Sequence, residues 1–174
     1  ADYYFATMNR AVPAIRKLLD FFRSNNLMVV YLTQGPYSED GLEAPYHLRV
    51  SHDRMVQTGD PGSGTSPQFE IVPEILPQKG ELVLHKVTNS GFCGTNLDLV
   101  LRNSGIENLI LTGAATDGCV EATTRAGADL GYRNVIVEDC CVTQSQLFHE
   151  VTLMHCVQMW GRVLTSLEVI AELD

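Results

Sequence analysis

Two residues in this chain have a type and a setting that allow joint chemistry, Cys119 and Lys86. The apolar, β-leaning run Leu109 to Leu111 stops at Gly113, and Thr116 or Asp117 is placed to cap a following helix. That helix-compatible segment runs from Cys119 to Leu130 and is closed by Gly131. Cys119 is thus expected in the first turn of a helix opening off a strand end. There the unpaired backbone N–H groups and the helix dipole favour the reactive thiolate, a nucleophile for a carbonyl carbon. Lys86 ends a second short apolar run that begins at Glu81. An ammonium beside the sulfur would hold the thiolate and later give a proton to a departing amine. His85 is the rival base. Neighbouring strand residues point to opposite faces, so only one of the pair can meet the sulfur; Lys86 is preferred, and His85 is read as a core or supporting histidine.

The remaining candidates carry weaker patterns. His47 and His52 with Asp53 match no tight metal-ligand spacing, and no metal or other cofactor is called for. His149 and His155 are six apart on a helix, face different directions and are read as solvated. Cys140 and Cys141 end a buried strand and are read as packing residues. Gly113 to Gly118 lacks the spacing and the Lys-Ser/Thr ending of a phosphate loop. No Cys-x-x-Cys pair exists, which speaks against a thiol redox protein.

The elements that must position the pair alternate along the chain. Tyr3 to Asn25 has helical spacing, with Val12, Ile15, Leu18, Leu19 and Phe22 on one side, and Pro13 predicts a start near Val12 or a bend there. Leu27 to Thr33 is a short apolar run of the buried parallel kind. Gln34 to Pro73, rich in Pro, Gly and Ser and without a sustained period, is expected to be a lid or a binding wall. Thr95 is placed to cap a helix that reaches about Asn103. Ser145 to Trp160 reads as a helix, Arg162 to Leu164 as a short strand, and Thr165 to Glu168 as a capping box. This alternation predicts an α/β fold, doubly wound, with a mostly parallel sheet and helices on both faces in a Rossmann-like three-layer sandwich. In such sheets sites form at the carboxyl ends of strands, where Lys86 and Cys119 both fall.

A chain of 174 residues suits one domain with a full core. Twelve basic against twenty-one acidic residues give a net charge of −9, which argues against nucleic acid and anionic membrane as partners. No apolar run approaches membrane-spanning length. Five cysteines make an odd count without disulfide-scaffold density, so a reducing, cytoplasmic setting is expected.

With Lys86 and Cys119 in place, the chain resembles the isochorismatase-like cysteine hydrolase superfamily. The matching residues are Lys86, Ser90 to Phe92, Gly94, Thr95 and Leu97, then Gly113 to Thr116 with Cys119 and Val120. Thr123, Thr124, Ala126, Gly131, Tyr132, Val137 and Asp139 continue the match. The resemblance implies a dimer or tetramer that hydrolyses C–N bonds of small amides, ureides or carbamoyl compounds through an Asp-Lys-Cys triad. It assigns Cys119 as nucleophile, Lys86 as triad lysine, and the backbone N–H groups of Ala115 and Cys119 as oxyanion hole. It places a cis peptide at Ala114–Ala115. Phe92, Thr116 and Ala114 are expected to contact the substrate; Arg49 and Arg54 either meet a carboxylate or polar ureide or are plain surface residues.

Two departures from the family pattern matter. The triad aspartate belongs at the end of a first strand, which precedes the first helix and lies mid-sheet. Asp2 does not fit it, because no apolar strand comes before. Residues 1–174 are therefore expected to be a single hydrolase domain lacking its N-terminal strand, the trailing part of a longer protein. The Asp-x-His-x-x-His string of metal-assisted nicotinamidases is also missing. The reading is a cysteine amidohydrolase acting on a small linear amide, ureide or carbamoyl compound through a thioester. Its alternatives are a catalytically impaired binding or scaffolding subunit and a vinyl-ether hydrolase, whose chemistry does not need Cys119.

Overall fold

A computed structural model describes residues 2–35, 38, 41–50 and 71–174. His52, Asp53, Arg54 and much of the irregular segment between Gln34 and Pro73 lie outside those residues. In chain order come α1 (Asp2–Ser24), β1 (Val30–Gln34), β2 (Leu82–Lys86), α2 (Leu97–Asn103) and β3 (Asn108–Ala114). After them come α3 (Glu121–Asp129), β4 (Arg133–Val142), α4 (Gln146–Met159), β5 (Gly161–Leu164) and α5 (Ser166–Leu173). No helix among the described residues is long and apolar enough to cross a membrane.

The three strand pairings among the described residues are all parallel. Parallel strands need crossovers, and helices supply most of them here. In β4, the fully buried Ile136 packs with Val120, Leu153 and Cys156, so the α3–α4 side covers one face. Its neighbour Val137 packs with Leu18 and Val169, so α1 and α5 cover the other. That is the α/β arrangement with helices on both faces. A third cluster, Leu97, Leu101 and Tyr132, seals α2 against β1 and β2 through Leu32 and Leu84.

Three details differ from the expectation. First, α1 runs unbroken across Pro13. The proline removes one helical hydrogen bond, but apolar side chains on both sides of it, buried Ala11 and Leu18 among them, keep one stripe facing the sheet. Second, the β3–β4 ladder is bulged: Leu111 pairs with Ile136, yet Gly113 pairs with Cys141. Such a bulge re-aims the strand end that leads to Cys119. Third, the strands form two sheets, β1-β2 and β3-β4-β5. Between them lies an apolar cavity of about 410 Å³, lined among others by Met8, Val12, Ile15, Leu32, Leu111 and Ala114.

Local chemistry holds the elements in place. The Arg23 guanidinium forks onto the Glu81 carboxylate (2.8 and 2.9 Å) and donates to the Tyr31 hydroxyl, tying the end of α1 to the start of β2. The hydrogen bond from Arg23 holds the Glu81 carboxyl below its ordinary range. At α5 the expected capping box is present, with Thr165 and Glu168 bonding reciprocally. Ser145 caps α4 by accepting from the Phe148 amide. The Asp139 carboxylate accepts from both the amide and the hydroxyl of Ser166, joining β4 to α5.

Ile136 has no exposed surface and fills the space between β4 and the α3–α4 layer. Ile136→Ala should cost about 2–5 kcal/mol in a urea titration, the range for a cavity left by a large core aliphatic. A loss below about 1 kcal/mol would show that this layer is loosely packed.

Candidate active site

The register of β1 and β2 sets the first half of the site. Gln34 and Lys86 are paired partners at the carboxyl ends of their strands. Their side chains meet, with the Lys86 Nζ donating to Gln34 Oε1 at 2.7 Å. The same ammonium donates to the Thr88 carbonyl at 2.7 Å and to Cys119 Sγ at 3.2 Å. Lys86 is only 3% exposed, so these three acceptors stand in for the water it has lost. Burial draws its pKa below the ordinary lysine value, opposed by the charge and hydrogen bond of Cys119. The Cys119 thiol in turn lies 2.7 Å from Gln34 Oε1.

The second half is the turn carrying the sulfur. After β3 the Ala114–Ala115 peptide is cis, where the resemblance placed it. A single wide π-helical turn, Thr116–Val120, then leads into α3, so Cys119 sits in the opening turn of a helical segment. Neither Thr116 nor Asp117 caps it. Their side chains are drawn away: Thr116 Oγ1 bonds His149 Nδ1 at 2.9 Å, and the Asp117 carboxylate accepts from the Thr143 hydroxyl. Thr123 completes the fastening by donating to the Cys119 carbonyl at 2.6 Å while accepting from the Gly91 amide at 2.9 Å. A Cβ at Gly91 would crowd the Leu32 side-chain tip at 2.5 Å and the Thr123 methyl at 3.3 Å, so a larger residue there would make Leu32 shift.

His85 faces away from the sulfur, as strand alternation requires. Its Nε2 meets the Gly35 carbonyl at 2.9 Å and so carries the proton, leaving Nδ1 to accept from Thr33 Oγ1 at 3.0 Å. The other expected site residues are distributed as follows. Ala114 lines the cavity between the sheets. The Ala115 amide belongs to the cis peptide itself, and the Cys119 amide to the turn that follows it. Thr116 is fully buried and turned to His149. Phe92 stacks on Tyr132 with centroids 5.5 Å apart and belongs to the cluster under α2. Arg49 is half-buried in the helical turn that follows Pro45.

The solvated reading holds for His155, which is exposed, but not for His149. His149 is half-buried against Thr116, and burial lowers its pKa; His155 packs edge-on to Trp160 at 4.6 Å. The His149 contact was hidden because Thr116 lies 33 positions away in the chain. Cys140, Cys141 and Cys156 are buried, and burial pushes Cys141 up to about 12 and Cys156 up to about 11, which leaves them inert. Gln34 was the residue that sequence reasoning missed. Its signal was its place at a strand end, level with Lys86 in a parallel pair.

The isochorismatase domain matches residues 3–168. The chain belongs to this family. It is 34% identical over 149 residues to the ureidoacrylate amidohydrolase RutB of Rhizobium rhizogenes, covering 80% of this chain and 60% of that protein. A cysteine hydrolase from Pseudomonas syringae pv. phaseolicola has a TM-score of 0.84 at 26% identity, over 95% of this chain and 80% of its own. N-carbamoylsarcosine amidase from Thermoplasma acidophilum has a TM-score of 0.72 at 28% identity, over 92% of this chain and 85% of its own. The protein is an isochorismatase-family hydrolase with amidohydrolases among its relatives.

Lys86 is the positive charge placed against the sulfur. Lys86→Met should slow iodoacetamide alkylation of Cys119 at neutral pH about tenfold or more, the effect of removing one adjacent opposite charge. An unchanged alkylation rate would show that the ammonium does not support the thiolate.

Proposed function

We propose that this isochorismatase-family hydrolase is a cysteine amidohydrolase acting on a small linear amide, ureide or carbamoyl compound. The observation that carries the reading is a buried ammonium 3.2 Å from a half-buried sulfur at the mouth of a helical segment. The thiolate of Cys119 adds to the substrate carbonyl carbon, and the oxyanion rests on the Ala115 and Cys119 amides. The C–N bond breaks, and ammonia or an amine leaves with a proton from the Lys86 ammonium. Water then adds to the thioester, the C–S bond breaks, and the acid departs as the thiolate is restored. The names of two relatives, ureidoacrylate amidohydrolase and N-carbamoylsarcosine amidase, support an amide or carbamoyl substrate.

Activating the water calls for a base. Among the described residues no carboxylate bonds to Cys119 or Lys86; their acceptors are Gln34, Thr88 and each other. We propose that the base is an aspartate on an upstream strand seated between β1 and β3. The apolar cavity between the two sheets supports that seat, and a strand there would end beside Gln34 and Ala114. The rival reading, a binding or scaffolding subunit without turnover, is favoured by the same lack of a carboxylate beside the sulfur.

An ammonia-release screen over ureidoacrylate, N-carbamoyl amino acids, biuret, maleamate and nicotinamide separates them. Turnover on at least one compound is expected, with Cys119→Ala lowering it about 10³-fold or more. Full turnover by Cys119→Ala would sink the mechanism, and no release from any compound would favour the binding subunit.

The pH profile gives a second check. Because burial depresses the Lys86 pKa, its ammonium is present at low and neutral pH and is lost on raising pH sooner than from a free lysine. The alkaline limb of kcat/KM should therefore fall below about 10.4, the ordinary lysine value. A limb that follows the ordinary lysine value would remove Lys86 from the proton-donor role.

A further inference from the structure

We propose that the outer face of α4 is an interface covered by a second copy of this chain, the two helices lying antiparallel across a two-fold axis. The inner side of α4 is already occupied: Leu153 and Cys156 sit in the core with Ile136, and His149 meets Thr116. The outer side is apolar as well. Leu147, Phe148, Val151, Met154, Val157 and Met159 are all between 48% and 63% exposed. A helix apolar on every side is ordinarily buried on every side. The hollow between β1 and β3 has no lining residue on α4, so a strand seated there would leave this face bare.

Area, symmetry and charge favour a second copy as the occupant. Each of these side chains presents roughly 100 Å², so the strip offers roughly 600 Å² per copy, most of the roughly 800 Å² that a stable interface takes from each partner. A hollow lined by Leu153, Met154, Val157, Gln158 and Val163 extends that surface towards β5, the edge strand of its sheet. The strip runs the length of α4, with Leu147 and Phe148 at one end, Val157 and Met159 at the other, and Val151 and Met154 near the middle. A half-turn about that middle lays the strip on itself, which is what an isologous contact requires. α4 carries no lysine or arginine, and its one acid, Glu150, accepts from Gln146. A basic partner would find little to bind here, and so would an anionic membrane. Two chains of net charge −9 repel at long range, yet they can meet at so nearly neutral a face once salt screens the rest.

Sedimentation velocity of the full-length protein over a range of concentrations reads the assembly directly. The native protein is expected to sediment as a dimer or a larger even assembly, and to hold together better as salt is added. Met154→Glu and Val151→Glu each set like charges against one another near the two-fold axis. Each should raise the dissociation constant about a hundredfold or more and halve the assembly. Both residues are already exposed, so neither change opens the core, and thermal melts check that the fold survives. Leu99→Glu, also exposed but on α2, is the control and should leave the mass unchanged. A benzophenone side chain in place of Val151, in a mixture of isotopically light and heavy protein, should crosslink α4 of one copy to α4 of the other.

Three outcomes would overturn the proposal: a native protein that stays monomeric at high concentration, an assembly that neither glutamate variant weakens, or crosslinks that join α4 to some other segment of the second copy. None of these measurements uses a substrate. The interface is therefore tested separately from the hydrolase reading.

Discussion

A charged nitrogen can leave water only if each of its hydrogens is received elsewhere. Lys86 meets that condition with three acceptors from three parts of the chain: the end of β1, the loop after β2 and the turn after β3. The ammonium is therefore a fastener as well as a charge. Removing any one acceptor would leave a buried donor unmet, an omission that costs on the order of 1–3 kcal/mol or more for a charged group. The two sheets are thereby joined at their carboxyl ends by side chains rather than by a ladder.

The turn bearing Cys119 depends on a similar diversion of polar groups. Thr116, Asp117 and Thr123 all have side chains suited to bonding the local backbone, yet the first two reach across to His149 and Thr143. Only Thr123 bonds locally, and it also grips the loop at Gly91. The helical opening is consequently held from outside, by α4 and by the end of β4. The Cys119 sulfur and the turn that bears it are held by residues far away in sequence, which suits a group that must stay aimed while bonds change around it.

What could be read from the sequence followed the range of the forces involved. The capping box at Thr165 and Glu168, the alternation of strands and helices and the opposite facing of His85 and Lys86 are local, and local spacing encodes them. The approach of Lys86 to Cys119 was legible because both fall at strand ends, where a parallel sheet gathers its side chains. The bulge at Gly113 and Cys141 was not, since it arises from pairing between strands. The bonds of Gln34 and His149 were hidden for the same reason, being made across 85 and 33 positions. The passage of α1 through Pro13 shows packing outweighing a local penalty.

The division of the strands into two sets leaves β1 and β3 each with one flank that has no ladder partner among the described residues. Both flanks border the same apolar hollow. Such a pair of rims is adhesive to any extended peptide of suitable length, whatever its side chains. A chain segment that settled there would satisfy both rims through its backbone and exclude solvent from the hollow at once.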